Sequence, residues 1–204
     1  MRAAWISFIA GCGFQAQIAT PDGAGAAAAA PDSAFDVAAC PASYSTVLSG
    51  VSGPSRYRVI TSGGKAADQS DACNRDLEGA THLIVLDSMP ELVAVAALVD
   101  SAPDNAIAHN AVWVGGVQPR TAAQPRDQWL GFDDLPLIDQ WAGGEPNDGA
   151  GGPGESDHSE QFVMVEHNKH YLTDAANSTT SGALCECDGR PVGAIATTTI
   201  ASNR

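Results

Sequence analysis

Four cysteines, Cys40, Cys73, Cys185 and Cys187, constrain this chain more than any other feature, because they stand at the two ends of its strand-rich stretch. With Cys12 set apart at the N-terminus, they form an even set suited to two disulfides in an oxidising compartment. A Cys185–Cys187 bridge is disfavoured: two residues apart on an extended strand, their Cβ atoms lie well beyond the ~4 Å a disulfide requires. Both remaining pairings join the start of the domain to its end. Closing so long a loop contributes on the order of 4 kcal/mol in the chain-entropy model, a large share of a small domain's stability. Loops can then be long without the fold coming apart.

The flanks read differently. "MRAAWISFIAGCG" offers Arg2, a short apolar run and small residues directly before Cys12, the pattern of an export signal. Its "IAGC" resembles the lipobox of bacterial lipoproteins, which implies cleavage before Cys12, lipidation of its thiol and an extracytoplasmic protein that is lipid-anchored or secreted. The apolar run is too short to span a bilayer, so the membrane enters only through that anchor. Residues 13 to 36 are Ala, Gly, Pro and Asp with little to bury, which predicts a flexible linker. Residues 191 to 204 lack a charge pattern or a long apolar period and read as a tail.

Between the flanks, residues 37 to 190 carry mixed signals. Ala66, Ser70, Cys73 and Leu77 line one helical stripe that ends at Gly79, and "THLIVL" follows as a strand. Ser88 with Glu91 three residues on is a capping-box signature for a second helix over "ELVAVAALV". "AVWVGGV", "DQWLGF", "EQFVMVEH" and "ALCEC" then read as short strands. Two helices, several short strands and much irregular chain make an α+β fold.

One loop stands out for chemistry. "GGEPNDGAGGPGESD", residues 143 to 157, holds four acidic side chains in a run too rich in Gly to be a helix. The chain as a whole carries a formal net charge of −14, which repels nucleic acid and anionic membrane surfaces. Carboxylates crowded into one loop repel each other too, unless a cation sits among them, and calcium is the economical choice. Glu145 and Asn147 offer a carboxylate oxygen and an amide oxygen two residues apart, with Pro146 between them to fix the backbone.

In this order and spacing, "ADQSDACNRDLEGATHLIVLDS", "VWVGG", "QWL", "WAGGEPND" and "LCEC" resemble the C-type lectin-like domain from about Cys40 to Cys187. The resemblance implies two helices with short antiparallel sheets and a long calcium-binding loop region. It implies bridges Cys73–Cys185 and Cys40–Cys187, and a cis peptide before Pro146. The family's inner bridge is missing, because Phe162 stands at its first Cys position and no Cys follows Asp174. The implied sugar- and calcium-binding residues are Glu145, Asn147, Glu160, Thr173 and Asp174, with Glu155 and Asp157 as alternatives to Glu160 for the third ligand. Thr173 stands where the family has an Asn, and so lacks the amide that ligates the ion and donates to sugar. The Glu-Pro-Asn order resembles the mannose and glucose class, whose ligands present equatorial vicinal diols.

The resulting expectation is a calcium-dependent carbohydrate-binding module of an exported lipoprotein, with no catalysis. A calcium-independent module that binds a surface protein on the same scaffold is the alternative, favoured by Thr173 and the missing inner bridge. A metal-dependent hydrolase using Glu155, Asp157 or His158 is disfavoured, since no nucleophile and base pairing is legible. Trp113, Trp129 and Trp141 read as packing residues. His167 and His170 lack the spacing of zinc ligands, and His82 and His109 carry no signal.

Overall fold

A computed structural model describes residues 35–51, 53–149 and 159–204. Cys12, most of the linker, and the loop residues Glu155, Asp157 and His158 lie outside them. Of the residues assigned to the linker, Phe35 packs against the core, and Asp36 caps a single 3-10 turn over Val37–Ala39, its Oδ1 accepting from Ala38 N at 2.9 Å.

The elements run β1 (Arg56–Gly64), α1 (Ala66–Asn74), β2 (Thr81–Leu83), α2 (Met89–Ser101), β3 (Ala111–Val117), β4 (Leu130–Gly131), β5 (Phe162–Glu166), β6 (Leu172–Ala175), β7 (Ser181–Cys187) and α3 (Ala194–Ser202). Helix α1 stops at Asn74, before the Gly79 boundary the sequence suggests. The Thr81 hydroxyl donates to Cys73 O at 2.7 Å and accepts from Leu77 N at 3.0 Å, so a side chain takes over where the next turn would have run. At the start of α2, Glu91 accepts from the Asp87 N–H and the Ser88 hydroxyl, both at 3.3 Å, so the capping-box residues close on the turn before the helix.

All strands join one mixed sheet in the order β1-β7-β3-β5-β6, with β2 on β7 and β4 on β3. The pairs are antiparallel, as expected, except one: β3 and β7 pair in parallel, Val112 opposite Gly182. Both β2 and β3 share one edge of β7, which brings β3 hard against the chain after β2. Gly115 N donates to Ile84 O at 2.6 Å, and a Cβ at Gly115 would sit 2.5 Å from Leu83 O, which accounts for the glycine in "WVGG".

Alternation along β3 sorts the core onto two faces. Val112 and Val114 join Leu92, Val95 and Val99 of α2 on one. Trp113 joins Phe162, Leu83, Val85 and the cysteines on the other. Trp113 is fully buried, donates its indole N–H to Gly64 O at 2.9 Å and meets Phe162 edge-on at 6.4 Å. Phe162 lies opposite Ala175 across β5 and β6, so an apolar contact occupies the place where the resemblance puts a covalent one. Two disulfides, Cys73–Cys185 and Cys40–Cys187, close the domain with Cα separations of 5.4 and 6.0 Å.

The expected tail is instead a third helix. Its sequence, AIATTTIAS, has three Thr and no charge, so local propensity does not announce it. Tertiary contacts make it: Asp134 accepts from Ile195 N and Ala196 N, each at 3.0 Å, while Ala196 and Ile200 enter the core. Arg204 pairs with Asp71, tying the end of the chain to α1.

Candidate functional site

The loop over residues 142 to 149 is anchored from three sides. The Glu145–Pro146 peptide is cis and Pro146 is buried. Arg126 donates to Glu145 O at 2.7 Å. On the strand side, Asp174 of β6, only 3% exposed, accepts from Asn147 N at 3.0 Å and from Asp148 N at 2.7 Å through Oδ2. The carboxylate that the resemblance assigns to an ion thus also holds the loop.

Asp148 does the rest, a residue quoted within the loop motif but given no role from sequence. It is fully buried, in the left-handed region at φ 53, and its Oδ1 accepts from Glu160 N at 3.0 Å. Its carbonyl accepts from the Ser159 hydroxyl at 2.9 Å. These bonds close the neck of the Gly-rich insertion and bring Glu160 back beside Glu145. The legible signal was Asp before Gly, a pair that tolerates a left-handed turn and bonds its own loop.

Glu145, Asn147, Glu160, Thr173 and Asp174 line one cavity of about 420 Å³, and so converge from three separate segments. Asn147 donates its side-chain amide to Glu145, and its Oδ1 accepts from Gly149 N at 2.8 Å. Burial, and then the hydrogen bond and charge of neighbouring Asp174, push the Glu145 carboxyl from 4.5 up to about 7. Thr173 is 6% exposed, and its hydroxyl is buried without a hydrogen-bond partner among the described residues. Arg58 Nε, Gln118 Oε1 and Gln161 Oε1 are in the same state elsewhere among the described residues, so what sets the Thr173 hydroxyl apart is its place in this cavity.

A second acidic cluster lies on β2 and β7. His82, Glu186 and Asp188 bring ligand atoms within 4.8 Å of one another, a spacing that can suit a metal. The chemistry does not. His82 Nδ1 faces Leu83 O at 2.8 Å and Nε2 faces Asp188 Oδ1 at 3.0 Å, so both ring nitrogens donate and neither keeps a lone pair for an ion. Burial alone would lower the His82 pKa, but Asp188 and Glu186 outweigh it and the imidazolium is favoured. Burial likewise opposes the charge on Asp188, yet His82 and Arg190 hold its carboxyl down at about 2. Arg190 also pairs with Asp133 at 3.1 Å and reaches Glu186 at 3.8 Å.

The remaining aromatic and His residues have local partners. Trp129 and Trp141 pack at 4.8 Å between centroids, and Trp129 donates to Pro125 O at 2.7 Å. His167 and His170 both face Asp100, at 3.2 and 2.8 Å, and so tie the end of α2 to the β5–β6 turn.

No family model matches the chain, and no curated protein matches its sequence significantly. Solved structures do. The C-type lectin CEL-I from Cucumaria echinata superposes with a TM-score of 0.56 at 15% identity, covering 72% of this chain and 96% of its own. The protein carries the C-type lectin fold. The same fold appears in the cow CD23 carbohydrate-recognition domain, solved in the presence of a GlcNAc2Man3 oligosaccharide (TM-score 0.51, 20% identity, 72% of this chain and 94% of that one). A calcium-independent type II antifreeze protein matches at 0.53 and 18%, covering 73% and 94%, so the C-type lectin fold does not by itself demand the ion.

Proposed function

We propose that this protein is a calcium-dependent carbohydrate-binding module, exported and anchored through Cys12, that takes mannose- or glucose-type sugars by a vicinal diol. The observation that carries this reading is the cavity itself: five oxygen-bearing side chains converge there, and the buried Thr173 hydroxyl has no hydrogen-bond partner among the described residues. Carboxylate, amide and hydroxyl oxygens are the donors a hard cation selects. Glu145, Asn147, Glu160 and Asp174 would hold calcium. Once bound, the ion offers coordination positions to two neighbouring sugar hydroxyls. Asn147 then donates to a sugar oxygen while Glu145 and Glu160 accept from sugar hydroxyls, so the protein orients the diol without reacting with it. Two disulfides accord with an oxidising, extracytoplasmic setting, and among the described residues no helix is long and apolar enough to cross a membrane.

Thr173 in place of an amide favours one other reading, a calcium-independent surface for a protein partner on the same fold. A calcium titration of thermal unfolding separates the two. Calcium at a hundred times its Kd stabilises a native-state site by about 2.7 kcal/mol, and mannose-matrix retention then follows the ion. In Glu145→Ala/Asn147→Ala both signals are lost. A midpoint indifferent to calcium and chelator, or retention that survives the double substitution, overturns the proposal.

A further inference from the structure

The cavity that receives the proposed ion does not end at the ion's ligands. Its lining continues along β5 to Met164 and Glu166, and across to His109 and Thr179. Glu160 and Glu166, at its two limits along this run, are six residues apart, and an extended chain rises ~3.3 Å per residue, so the cavity wall runs for up to ~20 Å. A single sugar ring seated on the Glu145–Asn147 end leaves the His109 end uncovered.

That far end is built rather than incidental. His109 and Asn110 are consecutive non-glycine residues in the left-handed region, at φ 58 and φ 50, a backbone state that costs energy and persists where the surroundings enforce it. The enforcing bonds are present: Asn110 N donates to Ile107 O at 3.0 Å, Asn105 N to Asn110 Oδ1 at 2.9 Å, and His167 N to Asn110 O at 2.8 Å. The imidazole is pinned through Nε2 to the Thr180 hydroxyl at 3.1 Å, and its Nδ1 makes no hydrogen bond among the described residues. Lys169 holds Glu166 at 2.8 Å from three residues on.

We infer that the His109–Thr179–Glu166 end of this cavity is a second sugar subsite, which takes the next, uncharged unit of an oligosaccharide whose first unit lies on the calcium end. This rests on the carbohydrate reading of the first site. An imidazole nitrogen, a hydroxyl and a carboxylate offer the mixed donors and acceptors that sugar hydroxyls need. The sign of the charge sets the selectivity. At the far end Glu166 lines the cavity and Lys169 is already held by it, so no unpaired Lys or Arg among the lining residues is there to take a uronic or sialic acid unit.

The test is calorimetric titration of the intact protein, in calcium, with methyl mannoside, mannobiose, and a disaccharide of mannose capped by glucuronic acid. Mannobiose is expected to bind about tenfold more tightly than the monosaccharide, and the acidic disaccharide no more tightly than the monosaccharide. His109→Gly, which accepts the left-handed backbone, and Thr179→Val are each expected to bring the mannobiose-to-monosaccharide ratio close to one. Equal affinity for mannobiose and monosaccharide in the unaltered protein, or a gain that survives both substitutions, overturns the subsite. The calcium-induced rise in thermal midpoint is read in parallel on every variant. Its absence from the unaltered protein, with no sugar bound, overturns the first site and the second together, whereas its presence with a flat ratio overturns the second alone.

Discussion

Two acidic clusters on one sheet are balanced in opposite ways. On β2 and β7, Glu186 and Asp188 are buried beside His82 and Arg190, so the chain supplies its own cations. On the β5–β6 side, Glu145 and Asp174 share a cavity, and among the described residues neither forms an ion pair with a Lys, Arg or His. The first cluster is finished when the chain folds. In the second, Glu145 and Asp174 face each other without such a cation among the described residues, and burial, then the hydrogen bond and charge of Asp174, push Glu145 up to about 7. An acidic cluster therefore predicts a ligand only after its internal partners have been counted. That distinction rejects the His-containing group as a metal site although its spacing is suitable.

The largest expected effect comes from breaking the finished cluster. His82→Leu removes its buried cation and leaves Asp188 and Glu186 to share Arg190. Removing one partner of a buried pair costs about 3–5 kcal/mol, roughly 10 °C of thermal midpoint for a domain of this size. Because the cluster lies away from the cavity, calcium should still raise the variant's midpoint. A midpoint within a degree or two of the unaltered protein would mean that the network is not holding β2 to β7.

How much of this was legible in sequence depends on where each residue's partners lie. Helix α2 announced itself through its apolar spacing and Ser88, and β3 through "AVWVGGV", because those signals are local. Strand β1 was missed, since "RYRVITSGG" is half polar and becomes a strand only by pairing with β7. Helix α3 was missed because Asp134, some sixty residues earlier, caps it. At the site, the Glu-Pro-Asn order pointed to Glu145 and Asn147, and the resemblance to Thr173 and Asp174. Asp148 and His109 stayed silent because their roles come from backbone states and long-range bonds. His82 was set aside as uninformative, yet it is the buried cation of the second cluster, a role visible only once β2 lies against β7.

A smaller effect separates the clusters by pH. Glu91, at the start of α2 beside Asp87, is raised from 4.5 to about 8, first by burial and then by the hydrogen bond and charge of the Asp87 side chain, which outweigh the lowering by the Asp87 backbone N–H. The native state therefore holds a proton that the unfolded chain releases above pH 4.5. Stability falls as pH rises through the window from 4.5 to about 8. Asp188 acts the other way: its folded value of about 2 against 3.8 makes a contribution present above 3.8 and lost as pH falls through 2. Denaturant unfolding across pH 5 to 8 should show the alkaline decline in the unaltered protein and a flatter profile in Glu91→Gln. If the two profiles coincide, Glu91 is ionised throughout and the decline has another source.

The smallest effect concerns the one atom that most distinguishes the open cluster. The Thr173 hydroxyl lies buried without a hydrogen-bond partner among the described residues, a state that costs desolvation. Thr173→Val keeps the shape and removes that cost, and is expected to stabilise the chelator-treated protein by up to about 1 kcal/mol. If the hydroxyl serves the ion or the sugar, the same substitution lowers calcium-dependent retention, so stability and binding move in opposite directions. Thr173→Asn sharpens the contrast from the other side, because an added amide supplies both a ligand oxygen and a donor for sugar. One further hydrogen bond is worth about 1 kcal/mol, so a severalfold gain in mannose affinity is expected. Retention unmoved by both substitutions would show that the hydroxyl faces neither ion nor sugar.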